Sequence, residues 1–325
     1  MKISIALASY NGSNFLEEQL NSFLKQTKLP DELVITDDCS TDNTEDIILE
    51  FAKTAPFKVI YSRNKENLGY CKNFNEAIMK TSGDLVFLSD QDDIWFPNKI
   101  EYILQVAKEN PDTLLIMNDT ELTDSSLNKT SLTKIGQIES AGLPITSFIM
   151  GCCCAIRRDL LDICMPIDPE YKAHDNWLVT FGYGLDSVIV ERKVLQLYRR
   201  HESNVSQFIV NRTEKITRFK FITNELKNLF NKNRKNNFKN SGAQLLFIDK
   251  AIDKAIDRAY EKPNIFLKLE IFKKNFHKSL VSYNYRSFIR EHGLIIRTIL
   301  VLNSYRKGRY RSKNGLISML RDIIN

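Results

Sequence analysis

Acidic and polar residues gather where apolar runs stop. The stretch 83–95, GDLVFLSDQDDIW, opens on a glycine turn, continues through LVFL and breaks into Asp90, Gln91, Asp92 and Asp93. ELVIT (32–36) breaks into Asp37 and Asp38, and KISIALA (2–8) into Ser9, Tyr10, Asn11 and Gly12. Loops this rich in oxygen suit a hard divalent cation and the phosphates it escorts. A plainer use is also open to them. Asp92 or Asp93 can cap the helical pattern that Pro97 introduces, and Asp37 or Asp38 can hold the turn around Ser40.

A sheet must position these loops. Short apolar, β-branched runs at 2–8, 32–36, 58–62 and 85–88 read as buried strands, and apolar residues at helical spacing lie between them at 14–26, 45–53 and 71–80. Strand–helix alternation with short connections predicts right-handed βαβ units and an α/β fold with a mostly parallel sheet. Open sheets of that kind bind ligands outside the carboxyl ends of their strands, where the three polar loops would converge on one crevice. Beyond Trp95 the pattern predicts a helix over 98–110, a strand over 113–118 and a long polar loop over 119–143. It then predicts short helices over 159–164 and 174–181 and a strand over 188–198.

At 325 residues, 43% hydrophobic and 26% charged, the chain has the composition of a globular protein. MKISIALASYNG makes a poor secretory signal and no stretch approaches membrane-spanning length, so the expected compartment is the cytoplasm. Six cysteines without a C-x-x-C pair read as buried thiols, not as a zinc site or a disulfide framework. Charge divides sharply. Residues 210–325 hold 26 Lys+Arg against 9 Asp+Glu, a net of +17, whereas the rest nets −11. Helical periods dominate the basic region, at 216–230, 243–260, 264–280, 287–302 and 315–324.

The order and spacing of SIALASYNG, VITDDCSTDNT, NLGYCKNFNEA, GDLVFLSDQDDIW, HDNWL and YRRHESNVS over residues 1–205 resemble the inverting glycosyltransferases of family 2. These have the GT-A (Rossmann-like) fold, and the resemblance is closest to the rhamnosyltransferase-like branch. It implies a catalytic domain over 1–209, with a nucleotide-binding half at 1–95 and an acceptor half at 96–209, followed by the basic helical region 210–325. Ala8, Tyr10 and Asn11 would line the nucleotide base, and Asp38 would accept the N3–H of uracil or thymine, a donor that cytosine lacks. Asn67, Gly69 and Asn73 would approach the nucleotide from the start of a helix, with Lys72 where many relatives carry Arg. Asp90, with Gln91 beside it, would lie near the ribose. Asp92 would hold Mn2+ or Mg2+ across the two phosphates, with His201 as a further metal contact and Arg199 or Arg200 as phosphate partners. Asp175 would be the general base that deprotonates the acceptor hydroxyl. The same comparison leaves Asp93 to cap the next helix, His174 to a positioning or structural part, the cysteines to packing, and Trp95 to either the core or an acceptor platform.

The implied metal-dependent reaction moves a sugar, with L-rhamnose from dTDP-rhamnose as the leading example, from a nucleoside-diphosphate sugar to a hydroxyl of a surface polysaccharide or lipid-linked glycan. The alternatives are a UDP-hexose or UDP-N-acetylhexosamine donor, or a non-catalytic nucleotide-sugar-binding scaffold. The basic region carries no nucleic-acid motif, so nucleic acid is not an expected partner. Basic amphipathic helices bearing Phe219, Phe221, Phe230, Phe266, Phe272 and Phe276 suit peripheral contact with the cytoplasmic face of the bacterial inner membrane.

Overall fold

In chain order, β1 (Ile3–Ser9), α1 (Leu16–Leu24), β2 (Glu32–Asp37), α2 (Thr44–Thr54), β3 (Lys58–Arg63), α3 (Tyr70–Met79) and β4 (Leu85–Ser89) build the expected βαβ units. β1 lies between β2 and β4, and all of these pairings, with β2 on β3, are parallel. The computed structural model describes residues 1–202, 204, 206, 208–228, 234–308, 310 and 315–324.

The second half completes the sheet. It adds β5 (Ile94–Trp95), α4 (Lys99–Glu109), β6 (Leu115–Thr123), β7 (Lys129–Thr133), α5 (Lys134–Ser140), β8 (Cys154–Arg157), α6 (Arg158–Cys164), α7 (His174–Gly184) and β9 (Val188–Arg199). The strand order is β3-β2-β1-β4-β8-β6-β9-β5, with β7 paired to β6. β8 runs antiparallel to both β4 and β6, so the parallel arrangement belongs to the first four strands and to β6 with β9. The stretch 119–143 is not a loop, because β6 continues to Thr123 and a hairpin and helix follow. Its Ser, Thr and Asp content misled. The buried Asp119 carboxylate accepts from the backbone of Thr120 (2.9 Å) and Ile135 (3.0 Å), which satisfies it inside structure instead of in water.

The basic region folds as α8 (Arg218–Lys227), α9 (Arg234–Arg258), α10 (Pro263–Arg290), α11 (Leu294–Arg306) and α12 (Gly315–Ile324). The change of charge at 210 is no break in packing. Phe74, Val86, Leu115, Trp177 and Phe181 share one core with Ile216, Phe221, Ile252, Ala255 and Phe272. Phe221 and Phe272 are thus buried, and Phe266 and Phe276 pack against the same core, so these aromatics form no outward face. Phe219 is exposed, and Phe230 lies outside the described residues. The opposite face of the sheet covers Phe23, Leu33, Phe87, Trp95 and Ile103. Trp95 meets Phe23 edge-on at 4.8 Å and is core, not an acceptor platform.

One buried carboxylate ties the N-terminal strands together. Glu32, 1% exposed, accepts from Ser4 Oγ (2.6 Å), Ser82 N (2.6 Å) and Ser82 Oγ (2.8 Å). Burial pushes its pKa upward, but the hydrogen bonds from Ser4 and Ser82 prevail and hold it at about 2. A carboxylate depressed from 4.5 to about 2 stabilises the fold above pH 4.5, and that stability is lost as pH falls from 4.5 through 2. Glu32→Gln is therefore expected to cost about 3 kcal/mol at pH 7. It should also flatten the acid limb of a urea-unfolding series, and an unchanged acid limb would contradict the assignment.

Candidate active site

The loops after β1 and β2 are laced by side chains that accept or donate to backbone. Asn11, at φ +47°, donates its N–H to Ser40 Oγ (2.8 Å) and accepts Thr41 N at Oδ1 (2.8 Å), while Gly12 N donates to Thr44 Oγ1 (2.8 Å). Gln91 reaches across from the β4 loop. Its Oε1 accepts Tyr10 N (2.9 Å) and its Nε2 donates to Tyr10 O (3.0 Å). The Gln91 amide is therefore committed to joining two strand-end loops, which corrects its expected part as a ligand contact. The Tyr10 ring stays 47% exposed at the rim, and Ala8 packs partly into the core beneath.

Asp37 and Asp38 divide their work. Asp37 holds the turn, accepting Ser40 N (3.0 Å) and the Ser40 hydroxyl. Asp38, 2% exposed, accepts Asn64 Nδ2 (2.9 Å) and Leu68 N (2.8 Å) at Oδ1, and Gly69 N (2.8 Å) at Oδ2. It clasps the loop leading into α3, and of its roughly four lone-pair positions three are in use. Gly69 can take part because its φ of +83° is open to glycine, while Asn67 is exposed and turns its Oδ1 to Gly69 N (3.2 Å). Asn73 is a correction. Buried at 1% exposure, it donates both amide hydrogens, to Ser9 O (3.1 Å) and Thr36 O (3.0 Å), and accepts Asn64 Nδ2 (3.0 Å). It ties off the carbonyls of β1 and β2 and has no hydrogen left for a nucleotide.

The acidic end of β4 meets the loop after β9. Asp92 Oδ2 lies 2.7 Å from His201 Nε2 and 3.2 Å from Asn204 Nδ2, and the His201 ring stacks on Phe15 at 4.9 Å. A hydrogen on either partner would make this contact a hydrogen bond, with Nε2 as donor in one tautomer and as acceptor in the other. Two residues 109 positions apart, expected on one metal, are thus side by side. Burial first, then the charges of Asp92 and Asp175, push Asp90 up to about 7. Asp93, fully buried, is pushed well up by burial and by Asp92 and Asp90. It caps no helix. Its Oδ2 accepts Gln196 Nε2 (2.9 Å), and Asn98 is the residue at the start of α4. Carboxylates that hold protons near neutrality mark a place where a cation would be favoured. Ligand atoms of Asp90, Asp93 and Cys152 also lie within 4.8 Å of one another. A thiol and a fully buried carboxylate suit Mn2+ or Mg2+ less well than the Asp92 and His201 side, where oxygen, imidazole and access for phosphate coincide.

Asp175 sits in the first turn of α7, half-buried, with Oδ1 accepting Asn176 N (2.7 Å). Its charge is among those that raise the Asp90 carboxyl. Gly151 lets the start of α7 pack closely, since a Cβ there would stand 2.5 Å from His174 Nε2 and 3.4 Å from Asp175 Cβ. His174 is buried against Phe74 (3.9 Å, stacked), with its pKa lowered by burial, so it packs as a neutral ring. Cys152, Cys153 and Cys154 are buried beside it, as expected of packing thiols.

Two residues of the site, Lys99 and Gln196, carried little signal in sequence. Lys99 is fully buried, donates to Cys152 O (3.0 Å) and to Gln196 Oε1, and lies 3.9 Å over the Trp95 ring. Gln196 passes that contact on to Asp93. A lysine on the apolar face formed by Ile103 and Val106 was the available clue. Arg199, expected as a phosphate partner, is a correction. It donates to Asp92 O (2.9 Å), Ser125 O (2.9 Å) and Glu18, and stacks over Phe15, so it braces the acidic loop and is not free for phosphate. Arg200, half-exposed, donates to Ser206 O (3.1 Å) and lies 5.8 Å from the centre of the Tyr198 ring. A cavity of about 620 Å³ lies elsewhere, between α9, α10 and α12, where its arginines 286 and 290 are tied to Asp322.

The family model for glycosyl transferase family 2 matches residues 4–163. The glycosyltransferase alr2836 of Nostoc sp. is 32% identical over 222 residues, which span 63% of this chain and just under two thirds (66%) of that protein. The dTDP-rhamnosyl transferase RfbG of Shigella flexneri is 30% identical over 227 residues, 61% of this chain and 72% of RfbG. Among solved structures, S. aureus TarS 1–349 in complex with UDP shares the fold with a TM-score of 0.54 at 16% identity, over 86% of this chain and 92% of that one.

Proposed function

The chain belongs to glycosyl transferase family 2, and from that premise we propose that it moves a sugar from a nucleoside-diphosphate sugar to a glycan hydroxyl with inversion at the anomeric carbon. The observation that carries this is the contact of Asp92 with His201 beside an Asp90 that burial and like charge hold partly protonated. Asp38, Tyr10 and Asn11 flank the nucleotide, Asp38 through its remaining lone pair. Asp90 faces the ribose. Asp175 takes the proton of the acceptor hydroxyl as its oxygen bonds to the anomeric carbon and the bond to the diphosphate breaks. The donor set of Asp92 and His201 fits Mn2+ or Mg2+, and such an ion offsets the charge on the departing nucleoside diphosphate. Lys99 and Gln196 hold Asp93, and Arg199 holds the backbone of Asp92, so the acidic loop is rigid before substrate arrives.

The donor proposed is dTDP-rhamnose, supported by the name and 30% identity of RfbG. The acceptor proposed is a surface polysaccharide or lipid-linked glycan, with the enzyme in peripheral contact with the cytoplasmic face of the bacterial inner membrane. With Mn2+ present, release of nucleoside diphosphate is expected to be fastest from dTDP-rhamnose. Faster release from UDP-glucose or UDP-N-acetylglucosamine would overturn the rhamnose reading, and release from none of the three would overturn the donor class.

A further inference from the structure

We propose that the aliphatic face of α11, with Arg306 and Lys307 at its end, docks this enzyme on an anionic lipid bilayer. The proposal rests on the peripheral-contact reading above and is independent of which sugar is moved. Ile295 is 78% exposed, Ile299 61% and Leu302 49%, one line at i, i+4 and i+7, flanked by Leu294 (63%) and Ile296 (51%). The other side of the helix is anchored, with Val301 packed in a small core with Ile289, Tyr310 and Met319. α11 is thus held to the protein by one face while five large aliphatic side chains stand outward on the other. A contiguous apolar patch of that kind marks an interaction surface.

Charge identifies the occupant. From His292 to Arg321 there are seven Lys or Arg and no Asp or Glu, and five of the seven fall within 306–313. A surface that pairs negative headgroups with an apolar interior satisfies both features at once. A second copy of the chain would bring the same positive stretch against itself with no carboxylate to meet it. Nucleic acid would answer the charge and leave the isoleucines in water. The 13 residues of α11 reach about 20 Å, short of a hydrocarbon core of about 30 Å, and among the described residues no helix is long and apolar enough to cross a membrane. The helix therefore lies along the interface, with its aliphatic line towards the acyl chains and Arg306 and Lys307 at the phosphates.

The test is flotation of the full chain with vesicles of phosphatidylcholine, with and without phosphatidylglycerol. Binding is expected only with phosphatidylglycerol and should weaken as salt is raised. Ile295→Glu/Ile299→Glu should lower the partition coefficient by about tenfold or more, and Arg306→Glu/Lys307→Glu should lower it several-fold. Both should leave metal-dependent release of nucleoside diphosphate from a soluble donor unchanged, which shows that the fold is intact. Undiminished flotation of the isoleucine variant would overturn the proposal. So would a wild-type dimer in sedimentation velocity that the same variant dissolves, since a second copy would then be the occupant. Loss of vesicle binding by the wild type with sugar turnover retained would sink the membrane surface alone and leave the transferase standing.

Discussion

Asp175→Asn is expected to lower sugar transfer by about 10²–10⁴-fold while the protein still binds its nucleotide sugar. The substitution is nearly isosteric, and an asparagine oxygen can still accept Asn176 N as Asp175 does now at 2.7 Å, so the first turn of α7 should keep its geometry. What disappears is the group that takes the acceptor proton. A titration calorimetry trace with an unchanged Kd for donor, beside a collapsed kcat, is the signature of a base. Transfer at the wild-type rate would remove Asp175 from the mechanism and return it to the helix start, where a carboxylate is favourable in any case.

Asp92→Ala is expected to remove divalent-metal dependence and to cost on the order of 10³-fold in rate, the effect of several kcal/mol of lost charge stabilisation. A readout independent of turnover accompanies it. Mn2+ should raise the melting temperature of the wild type, by about 2.7 kcal/mol of stabilisation at a hundredfold excess over Kd, and should do nothing for the variant. The pH dependence has a definite sign. Asp90 has its pKa raised from 3.8 to about 7, so the folded protein holds more protons than the unfolded chain, and the metal-free enzyme loses stability as pH rises from about 4 to about 7. Saturating Mn2+ should flatten that slope, and removing the Asp92 charge should reduce it. Full activity of the wild type in EDTA would overturn the metal site.

The two expectations differ in what supports them locally. Asp92 is braced from four sides, by His201, Asn204, the Arg199 guanidinium on its carbonyl and the Asp93–Gln196 contact next to it. Substitution there disturbs the charge balance more than the loop. His174, next to Asp175, packs on Gly151, so a larger residue at 151 would displace the His174 ring, a steric effect that Asp175→Asn avoids.

Local pattern determined much of this protein. The β-branched runs at 2–8, 32–36 and 85–88 became β1, β2 and β4 because a strand buried on both faces is apolar throughout and stops where polar residues begin, whereas 58–62, also expected to be buried, became the half-exposed end strand β3. For the same physical reason the carboxylates fell at the strand ends. Only the tertiary structure decided which polar groups face a ligand and which serve the protein. Asp38, Asn73 and Gln91 have the side chains of a binding site, yet Asn73 and Gln91 are consumed by backbone groups of neighbouring strands and loops, partners 37 or more residues away that no local pattern reveals. Asp93 turned inward to Gln196 instead of capping a helix, Lys99 came to lie beneath the acidic loop, and β6 buried Thr120 and Thr123 within the sheet. Buried polar groups must find partners, and the partners are chosen by chain topology. The same holds at the other end of the chain, where the +17 charge was plain in sequence but the outward face was not. Phe221 and Phe272 went into the common core, and the isoleucines of α11 were left outside because the small core around Val301 claimed the opposite side of that helix.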